Sequence, residues 1–152
     1  MAPRWPGMRF MSGESCFIDS NVLIYAYDQE AGRKRTCAGE LLAGLWESGT
    51  GVVSVQVLQE FFTNATRKLK QPLDLAKARE VVRIYGGWVA QPTDVSHVLR
   101  ATDIMKGYQV SFWDSMIVAV AEAAQCEILY SEDMQHGQTI AGVRIENPFL
   151  IP

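Results

Sequence analysis

The chain predicts an α/β domain built on a mostly parallel sheet with helices covering both faces. Two observations carry that expectation. Short strand-like runs at Cys16 to Ile18, Gly51 to Val53, Ile128 to Tyr130 and Val143 to Ile145 alternate with segments of helical period. Neighbouring parallel strands cannot be joined by tight turns, so crossover helices must connect them and pack on the sheet. No internal repeat or low-complexity tract interrupts the pattern.

The elements follow in order. Cys16 to Ile18 ends at Asp19, and Asn21 is placed to cap a short helix through Tyr27. A second helix runs from about Arg33 to Glu47 and stops at Ser48-Gly49. After Gly51 to Val53, Ser54 offers a cap for a helix whose positions Val55, Leu58, Phe62, Ala65 and Leu69 recur at helical spacing, with Glu60 inside it. Gln71-Pro72 breaks that helix. Asp74 opens another, ending near Tyr85 at Gly86-Gly87, and Trp88 to Ala90 is a weak strand candidate. Thr93 or Asp94 caps a helix to about Lys106, closed by Gly107. Ser111 then caps a helix whose Phe112, Trp113, Met116, Ile117, Val118 and Val120 surround the axis, so it is expected to be central and buried. Ile128 to Tyr130 delivers Ser131-Glu132-Asp133, and Val143 to Ile145 is the last strand before Asn147-Pro148.

At 152 residues, 48% hydrophobic and 20% charged, the chain fits one domain able to bury a core, expected over residues 16–152. Residues 1–15, with Pro3, Pro6 and Gly7 and no apolar signal core, are expected to form a loose extension. A net charge of −3 argues against nonspecific coating of nucleic acid, while leaving room for a local basic rim. Cys16, Cys37 and Cys126 are odd in number, widely spaced and without a Cys-x-x-Cys pattern, which fits free thiols in a reducing, cytoplasmic setting. The longest apolar run, Met116 to Ala121, is far short of the ~20 residues of a membrane span.

Four acids stand beside apolar residues: Asp19, Glu60, Asp114 and Asp133. Each has an ordinary explanation. Asp19 can cap or turn, Glu60 can be a solvated helix residue, Asp114 can close a capping box with Ser111, and Asp133 can belong to a turn, with Glu132 as the alternative ligand one residue away. Together they favour a site for something positive, because clustered carboxylates repel and are commonly reconciled by a hard cation such as Mg²⁺ or Mn²⁺. Asp19 and Asp133 both follow strands, where open α/β sheets bind ligands. Two-metal phosphodiester hydrolysis needs no protein nucleophile. The chain suits that chemistry, since His97 and His136 lack a Ser, Cys or Glu partner at recognisable spacing. His136, before Gly137, is expected to be structural or near a rim.

Phe17-Ile18-Asp19-Ser20-Asn21, Gln59-Glu60-Phe61-Phe62, Phe112-Trp113-Asp114-Ser115-Met116 and Leu129-Tyr130-Ser131-Glu132-Asp133 resemble, in order and context, the motifs of PIN-domain nucleases, and among them the VapC-type toxins of type II toxin–antitoxin modules. The resemblance extends from about Cys16 to Ile145. It implies a PIN-like three-layer α/β/α sandwich, a Mg²⁺- or Mn²⁺-dependent endoribonuclease, an RNA substrate, a small cognate antitoxin and a homodimer. Asp19, Glu60, Asp114 and Asp133 would be the metal-binding acids. Ser20 stands where the family often has Thr, and Ser111 and Ser131 match its supporting hydroxyl positions.

For phosphate contact the chain offers Arg33, Lys34 and Arg35, then Arg67, Lys68 and Lys70, although any one of these suits a solvated helix face. Tyr25, Tyr27, Trp46, Phe61 and Phe62 are candidates for an antitoxin groove, with core packing expected to take about half of them. The competing readings are a PIN-like binding module without catalysis, a housekeeping nuclease, and an α/β phosphatase or receiver domain using Asp19. Intact acids disfavour the first. Asn21 in place of a second acid, and the lack of paired early acids or a late lysine, disfavour the last.

Overall fold

The computed structural model describes residues 14–150. Five strands form one sheet in the order β2-β1-β3-β5-β4, with β1 at Cys16–Ile18, β2 at Gly51–Val52, β3 at Ile128–Tyr130, β4 at Thr139–Ile140 and β5 at Val143–Glu146. All neighbours are parallel except β4 and β5, which pair antiparallel around Ala141 and Gly142, both at positive φ. This short β4 is absent from the sequence expectation because two residues carry no readable period.

Six α-helices complete the fold: α1 at Ser20–Tyr27, α2 at Arg33–Ser48, α3 at Val55–Arg67, α4 at Leu75–Tyr85, α5 at Val95–Tyr108 and α6 at Phe112–Ala123. Helix α1 packs on α2 and α3, α3 on α4, and α5 on α6, giving the three-layer α/β/α sandwich that the alternation predicts. The core centres on the sheet residues Phe17, Ile18, Ile128, Leu129 and Tyr130, with Leu23, Leu41, Leu45, Phe61, Ile104 and Ile117 packed around them, all essentially fully buried. Every residue of α6 from Ser115 to Ala121 is buried, as its all-round apolar sequence requires.

Several local expectations need correction. Asp19, not Asn21, caps α1: its Oδ1 accepts from Ser20 N at 2.7 Å. Helix α3 buries Val57, Leu58, Phe61 and Ala65, while Val55 is 43% exposed and Phe62 half-buried. Both stripes satisfy a 3.6-residue period, and packing against α1 and the sheet selects the first. Gly86–Trp88 is a 3₁₀ turn, and only Val89 makes a single bridge, to Val53. Helix α5 is capped by Asp94 in a reciprocal box with His97, runs through Gly107, and ends on Gln109 at φ 56°. Trp113 lies 63% exposed, since it sits in the first turn of α6 before the helix enters the core.

The three cysteines are free and buried, as expected. Residues 1–13 of the expected loose extension lie outside the described residues. Ser15, its last member, is held by the bond from Glu127 N to Ser15 O at 3.0 Å. Among the described residues no helix is long and apolar enough to cross a membrane.

Candidate active site

The chain leaves β1 toward β2 on one side and returns from α6 into β3 on the other, so the connections diverge between β1 and β3. That divergence opens a crevice beyond the strands' carboxyl ends, the usual ligand position in such sheets. The register pairs Ile18 with Tyr130, and Asp19 N donates to Tyr130 O at 3.0 Å, which sets Asp19 beside Ser131. Strand pairing therefore brings the first and fourth motifs together across 112 residues.

Asp19 is 4% exposed, yet all its bonds come from neutral donors. Ser20 N binds Oδ1 at 2.7 Å, Ser131 Oγ donates to Oδ2 at 2.7 Å, and Asn21 Nδ2 approaches Oδ2 at 3.5 Å. Burial pushes the carboxyl up from its ordinary 3.8 to about 6. Ser131 and Ser20 pull the other way, and Glu60 and Asp133 add repulsion. Asn21, read from sequence as a cap, instead bridges the two motifs. Its Nδ2 donates to Asp133 Oδ2 at 3.2 Å and its Oδ1 accepts from Glu132 N at 3.2 Å. The available signal was position: two residues after Asp19, in the first turn of a helix that starts at the crevice.

Glu60 and Asp114 approach from the helical layers. Both are half-buried, and burial is the main cause of the raised pKa of each. Glu60 lies on the second turn of α3, one helical turn beyond Gln56, and the side chains of Ser20 and Gln56 pull its pKa down while repulsion from Asp114 and Asp133 pushes it up. Gln56 Nε2 also donates to Trp113 O at 3.2 Å, joining α3 to the first turn of α6. Ser20 and Gln56 are contributors that sequence reasoning did not identify, Gln56 because its spacing to Glu60 has meaning only once both are helical. Ser111 Oγ accepts from Asp114 N at 3.1 Å, one half of the expected capping box, and Asp133 repels the Asp114 carboxylate. Asp133 itself is exposed and its amide donates to Ser131 Oγ at 3.2 Å.

Asp133 thus lies within electrostatic reach of the other three acids, and Glu60 of Asp19 and Asp114, and among the described residues none of the four forms an ion pair with Lys or Arg. As placed, no three Asp, Glu, His or Cys side chains among the described residues converge tightly enough to hold one ion. The donor chemistry nevertheless fits a hard divalent cation, with oxygen ligands only, at least one buried anion lacking a positive partner, a serine hydroxyl donating to the Asp19 carboxylate, and a second serine hydroxyl accepting the Asp114 amide.

The remaining nominated residues divide. Glu132, the alternative to Asp133, turns away and pairs with Lys34 Nζ at 2.5 Å and with the Tyr25 hydroxyl at 2.6 Å. That ion pair occupies Lys34. Arg33 donates to Phe149 O at 3.3 Å, whereas Arg35, Arg67, Lys68 and Lys70 remain exposed. His136 is structural, its Nδ1 accepting from Asn147 N at 3.0 Å, and His97 serves the α5 cap. Phe61 is wholly core, Tyr27 packs edge-on to it, and Tyr25 packs edge-on to Phe149. Trp46 stacks over Tyr85 and Trp88. Phe62 lines an apolar groove of about 520 Å³ with Val55, Leu58 and Val82.

Solved structures with this fold include a toxin–antitoxin complex from Klebsiella pneumoniae (17% identity, 90% of this chain and 100% of that one, TM-score 0.65). VapBC2 from Rickettsia felis, bound to a DNA fragment from its promoter, is similar at 14% identity over 87% and 97% of the two chains, with a TM-score of 0.60. VapC20 of Mycobacterium tuberculosis, a toxin that cleaves the sarcin-ricin loop, is similar at 19% identity over 86% and 99%, with a TM-score of 0.58. At these identities the likeness is one of fold. Among curated proteins, no sequence matches this chain. The family profile described as PIN domain, by contrast, matches residues 16–139, a span that takes in β1, all six helices, β3 and all four acids, and on that match the chain belongs to the PIN domain family.

Proposed function

We propose that this chain is a Mg²⁺- or Mn²⁺-dependent endoribonuclease, and that it is the toxin of a type II toxin–antitoxin pair. The observation that supports the chemistry best is the buried Asp19, which lacks a cationic partner and is repelled by Glu60 and Asp133, as Glu60 is by Asp114 and Asp133. These four would hold the metal, which when bound supplies an activated water and offsets charge on the scissile phosphate.

The chain's own side chains do the positioning. Ser20 N and Ser131 Oγ fix the two oxygens of Asp19, and Asn21 ties Asp133 to the same corner. Gln56 and Ser20 favour the ionised form of Glu60, and Ser111 fixes the turn that presents Asp114. The exposed Arg35, Arg67, Lys68 and Lys70 are the side chains we assign to the RNA backbone.

The toxin reading rests on the company this fold keeps: the similar structures come from a toxin–antitoxin complex, from VapBC2 and from a toxin, and this chain covers nearly their whole length. The partner is then a small antitoxin and the setting the bacterial cytoplasm. The working unit is the single domain from residue 16 onward, as a homodimer, a state supported by the exposed apolar side chains of Val95 and Leu99 on α5, which are 71% and 62% accessible.

The test is RNA cleavage by the purified chain with and without Mg²⁺. Cleavage that disappears with chelator and in both Asp19→Asn and Asp114→Asn is the expected result. Full activity in either folded variant contradicts the site. Growth arrest on expression, relieved by the neighbouring antitoxin gene, tests the biological role.

A further inference from the structure

Beside the acids lies a second polar feature, a cavity of about 430 Å³ between the end of α5, the start of α6 and the loop from β3 to β4. Its volume falls within the ~300–1,000 Å³ of small-molecule sites. Asp114 and Asp133 form one wall, so the cavity opens directly onto the crevice. The rest of the lining carries a different chemistry, mostly polar, from Tyr108, Gln109, Gln135 and Gln138, with Ser111 and the apolar Val110 and Met134 between them. Among the described residues the three carboxamides take no hydrogen-bond partner. Gln109 also holds the left-handed conformation, φ 56° and ψ 42°, which side-chain-bearing residues rarely adopt and which turns the chain at the cavity's edge.

The geometry points to a nucleobase subsite: this cavity receives one unpaired base of the RNA strand whose phosphodiester bond lies at the four acids. The inference rests on the ribonuclease reading and deepens it. A phosphate is the wrong occupant, because no Lys, Arg or His lines the cavity and two carboxylates do. An apolar side chain is equally unsuited to a lining in which three amides, two carboxylates and a hydroxyl outnumber Val110 and Met134. A base matches: each carboxamide offers a donor and an acceptor side by side, the same mixed pattern that an unpaired base shows on its Watson–Crick and Hoogsteen edges. Tyr108, 40% exposed, offers a ring face for stacking. Because the acids share the cavity, the bound base belongs to a nucleotide next to the cut, and the amides then select which sequences are cleaved.

The double variant Gln109→Gly with Gln135→Ala removes two amides. Glycine adopts positive φ without strain, so the turn after α5 is preserved and neither change touches the core. We expect KM for short single-stranded RNA to rise about tenfold with kcat within about twofold, and preference for the base beside the cut to flatten. Independently of cleavage, unphosphorylated nucleosides added to the wild-type protein should shift the side-chain amide NMR signals of Gln109, Gln135 and Gln138 while leaving that of Gln56 unmoved. If the wild type cuts no RNA but those signals still shift, the nuclease reading fails and the base subsite stands. If RNA is cut with full dependence on the acids while the double variant keeps its KM and base preference, or the amide signals do not move, the base subsite is overturned and the nuclease reading stands.

Discussion

Ser131 Oγ donates to Asp19 Oδ2 at 2.7 Å in a contact buried from both sides, and the same oxygen accepts the amide of Asp133 at 3.2 Å. One hydroxyl therefore serves two acids of the crevice, each arriving from a different part of the chain. Because the bond stabilises the ionised form of Asp19, its loss should raise a pKa that burial has already lifted to about 6. Ser131→Ala is expected to move the acid limb of the pH–rate profile upward while leaving the plateau at high pH within about tenfold of wild type. It should also lower stability at pH 7.5 by ~2 kcal/mol, the scale of a hydrogen bond to a charged group, and by less at pH 5. Urea titration at the two pH values checks this. An equal loss at both would show that the bond has no bearing on the charge.

The same burial makes stability fall as pH rises. Between 3.8 and about 6 the folded Asp19 keeps a proton that the unfolded chain has released, so the folded state binds more protons and loses stability across that window. The shift of about two pH units corresponds to ~3 kcal/mol, with Glu60 and Asp114 acting in the same direction. In chelator, Tm should thus be lower at pH 7 than at pH 5. Mn²⁺ added at pH 7 should restore it by binding the folded state alone, and Asp19→Asn should show a higher metal-free Tm with a smaller response to Mn²⁺. A wild-type Tm that rises from pH 5 to pH 7 in chelator would show that Asp19 is ionised without penalty.

Glu132 and Asp133 are sequence neighbours with opposite allegiances. Glu132 pairs with Lys34 and Tyr25, whereas Asp133 is tied to Asn21 and repels the other three acids. Glu132→Gln should leave cleavage within about threefold and cost at most ~1 kcal/mol, since its ion pair is partly exposed. Asp133→Asn should reduce cleavage at least a hundredfold with little change in Tm. Side-by-side rates under saturating Mg²⁺ decide it, and the reverse ranking would shift the ligand by one position.

How far the sequence was legible depended on what each residue's surroundings had to decide. Strand ends and caps are local, so Asp74, Ser54, Gly49 and the burial of α6 followed from residue type and period. The face of α3 did not, because Val57-Phe61 and Val55-Phe62 fit a helical period equally well and only packing against α1 separates them. The four acids could be nominated by context. Asn21 and Gln56 were not, since each acquires its partner only through tertiary placement, Asn21 at the fourth motif and Gln56 at the carbonyl of Trp113.

Gly51 gives a prediction about the scaffold alone. A Cβ built there would lie 2.6 Å from the ring of Trp88, closer than real Cβ atoms come to any neighbour. Trp88 is buried, wedged between Trp46 and Tyr85 with centroids at 4.6 and 4.9 Å, so the ring cannot swing aside without disturbing that cluster. Gly51 pairs with Cys16 beside β1, and displacement there would be felt along the strand that ends at Asp19. Gly51→Ala is therefore expected to lose ~1–3 kcal/mol, the usual range for overpacking. Below its lowered Tm the specific cleavage rate should stay within about threefold of wild type, because β1 still pairs with β3 on its other side. Thermal melts and rates measured on the same preparation test both halves, and an unchanged Tm would mean that the Trp46-Tyr85-Trp88 cluster has more room than its spacing indicates.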